Sequence, residues 1–227
     1  FRGSVNGFGF SLAESVARLI DRSPRLYRTL VDLVRFADVG ISEILIDEVD
    51  RTPLAEESER IRRKRLLFVH SSGDDPFVIR DESAGTVAWL DILHVVLSVL
   101  DSGGTLMVDE IDTSLHPALT ARLLALFQSE ETNPQVAQLI CTTHDTTLLS
   151  PTLGEQVVTR GQVWFTEKND AGETTLYPLS DFSPRKGENT ERRYLGGSYG
   201  AVPKIFGEDF TESMRESGLG SLLDGTP

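Results

Sequence analysis

Between residues 83 and 143 the chain alternates between helical and extended periods with almost no connecting length to spare. "SAGTVAWLDILHVVLSVL" (83–100) is apolar on most of its faces, which predicts a long, deeply buried helix. "GGTLMVD" follows as a tight turn and a buried strand. "HPALTARLLALFQS" then reads as an amphipathic helix with Pro117 in its first turn, and "VAQLICTT" as a second buried strand. Two apolar strands joined through a helix, with short glycine-containing links, predict a parallel sheet, because parallel neighbours need a crossover. The fold class expected is α/β.

The flanks differ. Residues 11–37 carry Leu12, Val16, Leu19 and Ile20 at helical spacing, and Pro24 opens a second segment with Leu26, Leu30, Leu33, Val34 and Phe36. From residue 41 the period becomes two. "ISEILIDEV", "RLLFVH" and "FVIR" read as strands of antiparallel character, separated by an acidic stretch and by the turn-rich "SSGDDP". Further on, "RGQVWFTEK" and "TTLYPLS" predict an edge hairpin around "NDAGE". The tail from about 181, rich in Gly, Ser, Pro and charge, predicts loop of low order. The expected organisation is therefore a helical segment at 1–40, a β-rich segment at 41–80, an α/β core at 81–180 and a loop-rich tail at 181–227.

The chain has 227 residues, 39% hydrophobic and 25% charged, which suits one soluble globular unit. No apolar stretch reads as a membrane span and no signal peptide opens the chain, so a membrane partner is not expected. Cys141 has no second cysteine to pair with, which points to a reducing, cytoplasmic setting. A net charge of −13 disfavours a self-sufficient nucleic-acid binder; DNA would be reached through a local patch or a partner.

Two stretches could deliver carboxylates from a strand end, "ILIDEVD" (44–50) and "LMVDEID" (106–112). They lie in unlike surroundings, so they are not a repeat. Only the second is followed by "TSLHP" leading into a helix, then by His144 in "CTTHD" after another strand, and is preceded by "ESAGT" at a helix start. Ser83 is a natural N-cap, which leaves the amides of Ala84, Gly85 and Thr86 pointing out of the helix end. Such an end attracts phosphate, and Gly85 permits close approach. The first stretch runs instead into "RTPLAEESERIRRKR", where basic residues are offset by Glu56, Glu57 and Glu59, and it reads as a solvated surface.

The ordered set resembles the ABC-type ATPases, and within them the RecF/SMC/OLD-like AAA ATPases of bacterial chromosome and anti-phage systems. In that family a signature "SxG" at a helix start is followed by a Walker B strand, a D-loop and a switch histidine. "ADVGI", "ESAGT", "DEIDTSLHP", "QLICTTHDTTLL", "VWFTEKND" and "YLGGSYGAVP" are similar to the abortive-infection branch that includes Rlo-type proteins, across most of residues 37–203. Gly161 and Ser198 depart from it, standing where a charged residue is expected. The resemblance implies a parallel-sheet P-loop NTPase lobe of the carboxyl-terminal kind, with ATP and Mg²⁺ as ligands. It implies Asp109 as the metal-organising acid, Glu110 as general base and His144 as γ-phosphate sensor. Asp112 and Ser114 become the D-loop, and Ser83 with Gly85 the contact to the γ-phosphate of a second subunit. A lone histidine after an apolar strand is also the usual form of a core histidine bonded to backbone. His116 reads as structural, and His70 and His94 fit no constellation.

An ATPase of this kind needs G-x-x-x-x-G-K-[ST] after a strand. "SVNGFGFS" (4–11) imitates it but has Phe10 in the lysine position and Ser4 for the first glycine. The phosphate-cradling lobe is therefore expected upstream of Phe1, and this chain alone is expected to be inactive. The function implied is ATP hydrolysis in a homodimer or higher homo-oligomer that sandwiches ATP and switches a partner effector such as a nuclease. Two other readings fit parts of the chain. A metal-dependent phosphohydrolase could use "THD" and the acids, but would want more histidines than the four present. A non-catalytic scaffold that docks a nuclease would keep the fold without ATP.

Overall fold

The computed structural model describes residues 11–50, 62–71, 73, 75–150, 157–182, 189–203, 211, 212 and 216. The imitation phosphate loop at 4–10, the acidic half of the charged stretch and most of the tail lie outside these residues. The chain divides into two compact units, Phe1–Val157 and Val158–Pro227.

In the first unit, α1 (Leu12–Arg22) starts at a capping box. The Ser11 hydroxyl accepts the Glu14 amide at 3.3 Å, and the Glu14 carboxylate accepts the Ser11 amide at 3.1 Å. Ser23 ends α1 and caps α2 (Pro24–Ala37), whose Pro24 has no amide to leave unpaired. Three antiparallel strands follow, β1 (Ile41–Asp50), β2 (Arg62–His70) and β3 (Phe77–Val78), in the order β1-β2-β3. "FVIR" thus supplies only two strand residues, and its second half belongs to a 3-10 turn over Ile79–Asp81. A register shift between Ile41 and Glu43 lets Ile41 and Ile44 both turn into the core, which strict alternation would forbid. The Ser42 hydroxyl holds that irregularity by donating to the Val69 carbonyl at 2.9 Å. The first acidic pair sits inside this ladder, where Asp47 faces Arg65 and Glu48 faces Lys64, with Arg65 bonded to Asp47 at 2.7 Å. It is a half-exposed cross-strand charge pairing rather than the end of a strand.

The apolar run folds as α3 (Ala84–Ser102), packed against α1, α2 and β4 (Thr105–Val108). Trp89 pins it to α2 by donating its indole N–H to the Leu33 carbonyl at 2.9 Å, and the Tyr27 hydroxyl ties α2 to the Ile44 carbonyl. At 19 residues α3 is long and apolar enough by composition to cross a bilayer, contrary to the sequence expectation. Its packed face and its partly buried Asp91 and His94 are those of a core helix. The helix ends at Gly103, whose φ of +75° suits only glycine there; a Cβ would also lie 2.7 Å from the Gln135 carbonyl oxygen. β4 then pairs in parallel with β5 (Gln138–Cys141), and α4 (Pro117–Gln128) makes the crossover. Asn133 fixes the loop before β5, its side chain bonding the Phe127 and Ala137 carbonyls and the Ala137 amide. The unit is mixed α/β with a parallel pair beside an antiparallel segment, as the sequence predicts.

In the second unit β6 (Trp164–Lys168) and β7 (Thr174–Pro178) form the expected hairpin. Phe165, Leu179 and Tyr199 make its buried cluster, with Tyr177 and Tyr194 packed around them. The tail contributes a short helix, α5 (Thr190–Leu195), where loop was expected.

Asp91 and His94 lie 4.0 Å apart on α3, too far for a hydrogen bond, and the facing atoms, Asp91 Oδ1 and His94 Nδ1, have no partner. Burial raises the Asp91 carboxyl above its ordinary range, opposed by His94. Burial lowers the His94 imidazole, opposed by Asp91 and helped by Arg18 of α1. A raised carboxyl favours the fold below its ordinary pKa, and that contribution is gone once pH has risen through the folded value. Asp91→Asn should therefore raise Tm at pH 7, with the gain shrinking as acidification protonates Asp91 itself, complete by about pH 3, below the ordinary carboxylate range. Paired thermal melts at the two pH values check this.

Candidate phosphate-chemistry site

The parallel ladder puts Val108 beside Cys141, so the residues that leave the two strands together are Asp109 and Thr142. Their backbones stay linked: the Thr142 amide donates to the Val108 carbonyl and the Ile111 amide to the Thr142 carbonyl, both at 3.0 Å. The Thr142 hydroxyl donates to Asp109 Oδ1 at 2.5 Å and accepts the Glu110 amide at 2.8 Å. Glu110 adopts φ +51°, an uncommon backbone state for a residue with a side chain, and the chain turns there. Its carboxylate accepts from the Thr113 hydroxyl at 3.3 Å and lies 4.0 Å from His144 Nε2. His144 is 86% exposed on its side chain and Glu110 59%, which removes the reading of His144 as a core histidine. Asp112 reaches back to accept the His144 amide at 3.3 Å. Asp109 and Glu110 are thus joined through Thr142, and Asp112 bonds the His144 backbone, all at the carboxyl end of a parallel pair, the edge where open α/β sheets bind ligands.

Ser83 and Gly85 form a second group with Ser114. The Ser83 hydroxyl caps α3, accepting the Thr86 amide at 3.0 Å, so it is committed to the helix while the residue stays exposed. Thr86 is anchored in turn by Asp38 at 3.2 Å, and the preceding Glu82 by His70 at 2.8 Å. A Cβ on Gly85 would lie 3.4 Å from the Ser114 carbonyl oxygen, so the helix start abuts the loop that follows Glu110. Ser114 has φ +63°. The loop at 110–115 belongs to both groups, with Thr113 on Glu110 and Ser114 against Gly85.

The other histidines and the cysteine have separate places. His116 caps α4, its Nδ1 accepting the Ala118 amide at 3.2 Å. His70 braces Glu82 and packs on Phe77. Burial, with Asp112 adding, pushes the Cys141 thiol up, so it stays protonated and unreactive beside the site. Thr113 lies in "TSLHP" and Thr142 in "CTTHD", but the sequence reading gives neither a role of its own, although parallel pairing of "LMVD" with "LICT" sets a hydroxyl beside the first acid.

Asp109 offers oxygen to a hard cation, and among the described residues no group of three or more His, Cys, Asp or Glu side chains could hold a metal by itself. That set fits Mg²⁺, which is commonly held by one or two carboxylates completed by phosphate and water. Met107 and Ile140, partners in the ladder, are 74% and 58% exposed on one face of the β4-β5 pair.

A family model described as "AAA domain, putative AbiEii toxin, Type IV TA system" matches residues 3–150. A solved structure from work on ATP-driven dimerization and DNA-stimulated activation of SMC ATPases aligns with 76% of this chain and 99% of that one. The identity is 12% and the TM-score 0.44. No curated protein matches.

Since the nearest atom to a Gly85 Cβ sits at ordinary contact distance and Gly85 needs no special backbone angle, Gly85→Ala is compatible with this fold. The substitution should hold or raise stability by about 0.5 kcal/mol, through lost freedom of the unfolded chain. Urea unfolding measures it; a loss above about 1 kcal/mol would show the helix start packed more tightly than described.

Proposed function

The chain belongs to the AAA-domain family described as a putative AbiEii toxin of a type IV toxin–antitoxin system, and from that membership we propose an ATPase that closes as a dimer on its nucleotide. The observation that carries this reading is the convergence of Asp109, Glu110 and His144 at an exposed sheet edge, the two acids joined through Thr142 and His144 Nε2 standing 4.0 Å from Glu110. In the proposed reaction a water oxygen attacks the γ-phosphorus, the bond to the bridging β–γ oxygen breaks, and ADP and phosphate leave. Glu110 takes the proton from that water. His144, open to solvent beside it, donates to the γ-phosphate oxygens as charge develops. Asp109 would hold Mg²⁺, and the ion when bound would neutralise charge on the phosphates.

The helix start at Ser83 is the proposed contact from a second subunit, with free amides of Ala84 and Gly85 aimed outward toward the γ-phosphate. Asp112 and Ser114 are the proposed D-loop residues. Asp112 also steadies His144 within its own chain. A lysine-bearing phosphate loop is proposed to come from a further segment, and the bare Met107 and Ile140 face supports a seat for one. The cycle would switch an anti-phage or DNA-maintenance effector, nuclease or other, in the cytoplasm.

Glu110→Gln preserves size and hydrogen bonding but removes the base. In the full-length protein, hydrolysis should fall by about a hundredfold or more while ATP binding survives, and an ATP-bound dimer should accumulate on size exclusion. Ser83→Arg should block dimer closure instead. Mixing the two inactive variants should restore partial turnover, from the site that combines an intact Glu110 with an intact Ser83. A fully active Glu110→Gln protein would remove the base assignment. No recovery on mixing, with exchange of subunits demonstrated, would remove the trans arrangement or require coupled sites.

The charge pairing at Asp47 lies in the β1-β2 ladder and outside this network. Asp47→Ala with Glu48→Ala should leave turnover within about threefold. A hundredfold loss with the fold intact would transfer the chemistry to β1.

A further inference from the structure

Thr142 is bound from four sides at one point. Its amide and carbonyl are held by Val108 and Ile111 at 3.0 Å each, so its backbone cannot drift from the end of β4. Its hydroxyl hydrogen goes to Asp109 Oδ1 at 2.5 Å, and its oxygen accepts the Glu110 amide at 2.8 Å. A hydroxyl has one donor and two acceptor positions, so this geometry uses the donor on one acid and an acceptor on the other. The first bond ties one carboxylate oxygen of the exposed Asp109 and so restricts its side chain. The second satisfies the amide of a residue held at φ +51°, a state that neighbouring bonds must sustain.

We propose that Thr142 is the positioning residue of this site, one hydroxyl setting both the metal-facing carboxylate of Asp109 and the turn that aims Glu110. The proposal rests on the ATPase reading above. In this role Thr142 acts through the two acids, in the manner of outer-shell partners whose loss typically costs 10- to 100-fold in activity or metal affinity. Serine would keep the hydroxyl. Valine would keep the branched shape and β preference while deleting it.

The test uses the full-length protein carrying Thr142→Val, Thr142→Ser or Glu110→Gln. Thr142→Val should lower kcat by about 10- to 100-fold and raise the Mg²⁺ concentration at half-maximal rate, with Thr142→Ser recovering both to within about threefold of the parent. A second measurement needs neither turnover nor metal. In nucleotide-free, metal-free protein, single-residue hydrogen exchange at the Glu110 amide should accelerate in the valine variant and not in the serine variant, with β4 amides unchanged. Unaltered kcat, Mg²⁺ dependence and Glu110 exchange in the valine variant would overturn the proposal, as would a serine variant as impaired as valine. If valine fails to fold, Thr142→Ala is read by the same measures. A full-length parent that hydrolyses no ATP removes the ATPase reading and the proposal with it, whereas hydrolysis that survives Glu110→Gln removes the base assignment that the aiming of Glu110 serves. Hydrolysis lost in Glu110→Gln but untouched by valine removes Thr142 alone.

Discussion

The contacts among Asp109, Glu110 and Thr142 depend on the parallel pairing of two four-residue strands. Thr105 to Val108 meet Gln138 to Cys141 in a single register. Slipping that register by one residue would turn Leu106 and Leu139 away from the helices and move Thr142 off Asp109. So short a ladder cannot hold itself. It is fixed at one end by Gly103 against the Gln135 carbonyl and by the Asn133 bracket, and at the other by the amide and carbonyl of Thr142. Between these ends, the buried row of α3 supplies the apolar surface on which the pair rests.

The second organising feature is the start of α3. Glu82 and Thr86, on either side of the exposed Ser83–Gly85 turn, are tied by polar bonds to β2 and to the end of α2. The helix start is therefore held by fixed flanks as well as by the Ser83 cap. Charged side chains pair across β1 and β2, so the basic residues of that hairpin do not sum to an isolated basic face.

Much of this architecture is legible in the sequence because it depends on period and punctuation. The strand-helix-strand alternation, the two opening helices, the hairpin around "NDAGE" and the Ser83 cap all come from local rules. The two acidic pairs are told apart by their downstream neighbours, a charged stretch after Asp50 and "TSLHP" after Asp112. The features that stay hidden depend on contacts distant in sequence. Neither the shift at Ser42 nor the His70 to Glu82 brace has a local signature. The bifunctional hydroxyl of Thr142 emerges only when a register is drawn between two separated strands. The length and composition of α3 would suit a bilayer, but the reading of 83–100 as a buried core helix holds, with Asp91 and His94 partly buried along it. Composition alone makes the tail a loop, and it cannot see that Asn189 caps a short helix by accepting the Arg192 amide at 2.8 Å.

The uncovered face of the β4-β5 pair has a consequence for the chain during its manufacture. Parallel strands normally carry protein on both faces. Here Met107 and Ile140 stand in water, and among the described residues neither strand has a further neighbour. Until something shelters that surface, a nascent chain offers unpaired strand edges and an apolar strip to its siblings, which is how off-pathway aggregates begin. The Met107 thioether is at the same time open to oxidants, and its sulfoxide would make the strip polar and hard to bury afterwards. The order in which segments emerge and meet during synthesis therefore matters to this protein as much as its final stability does.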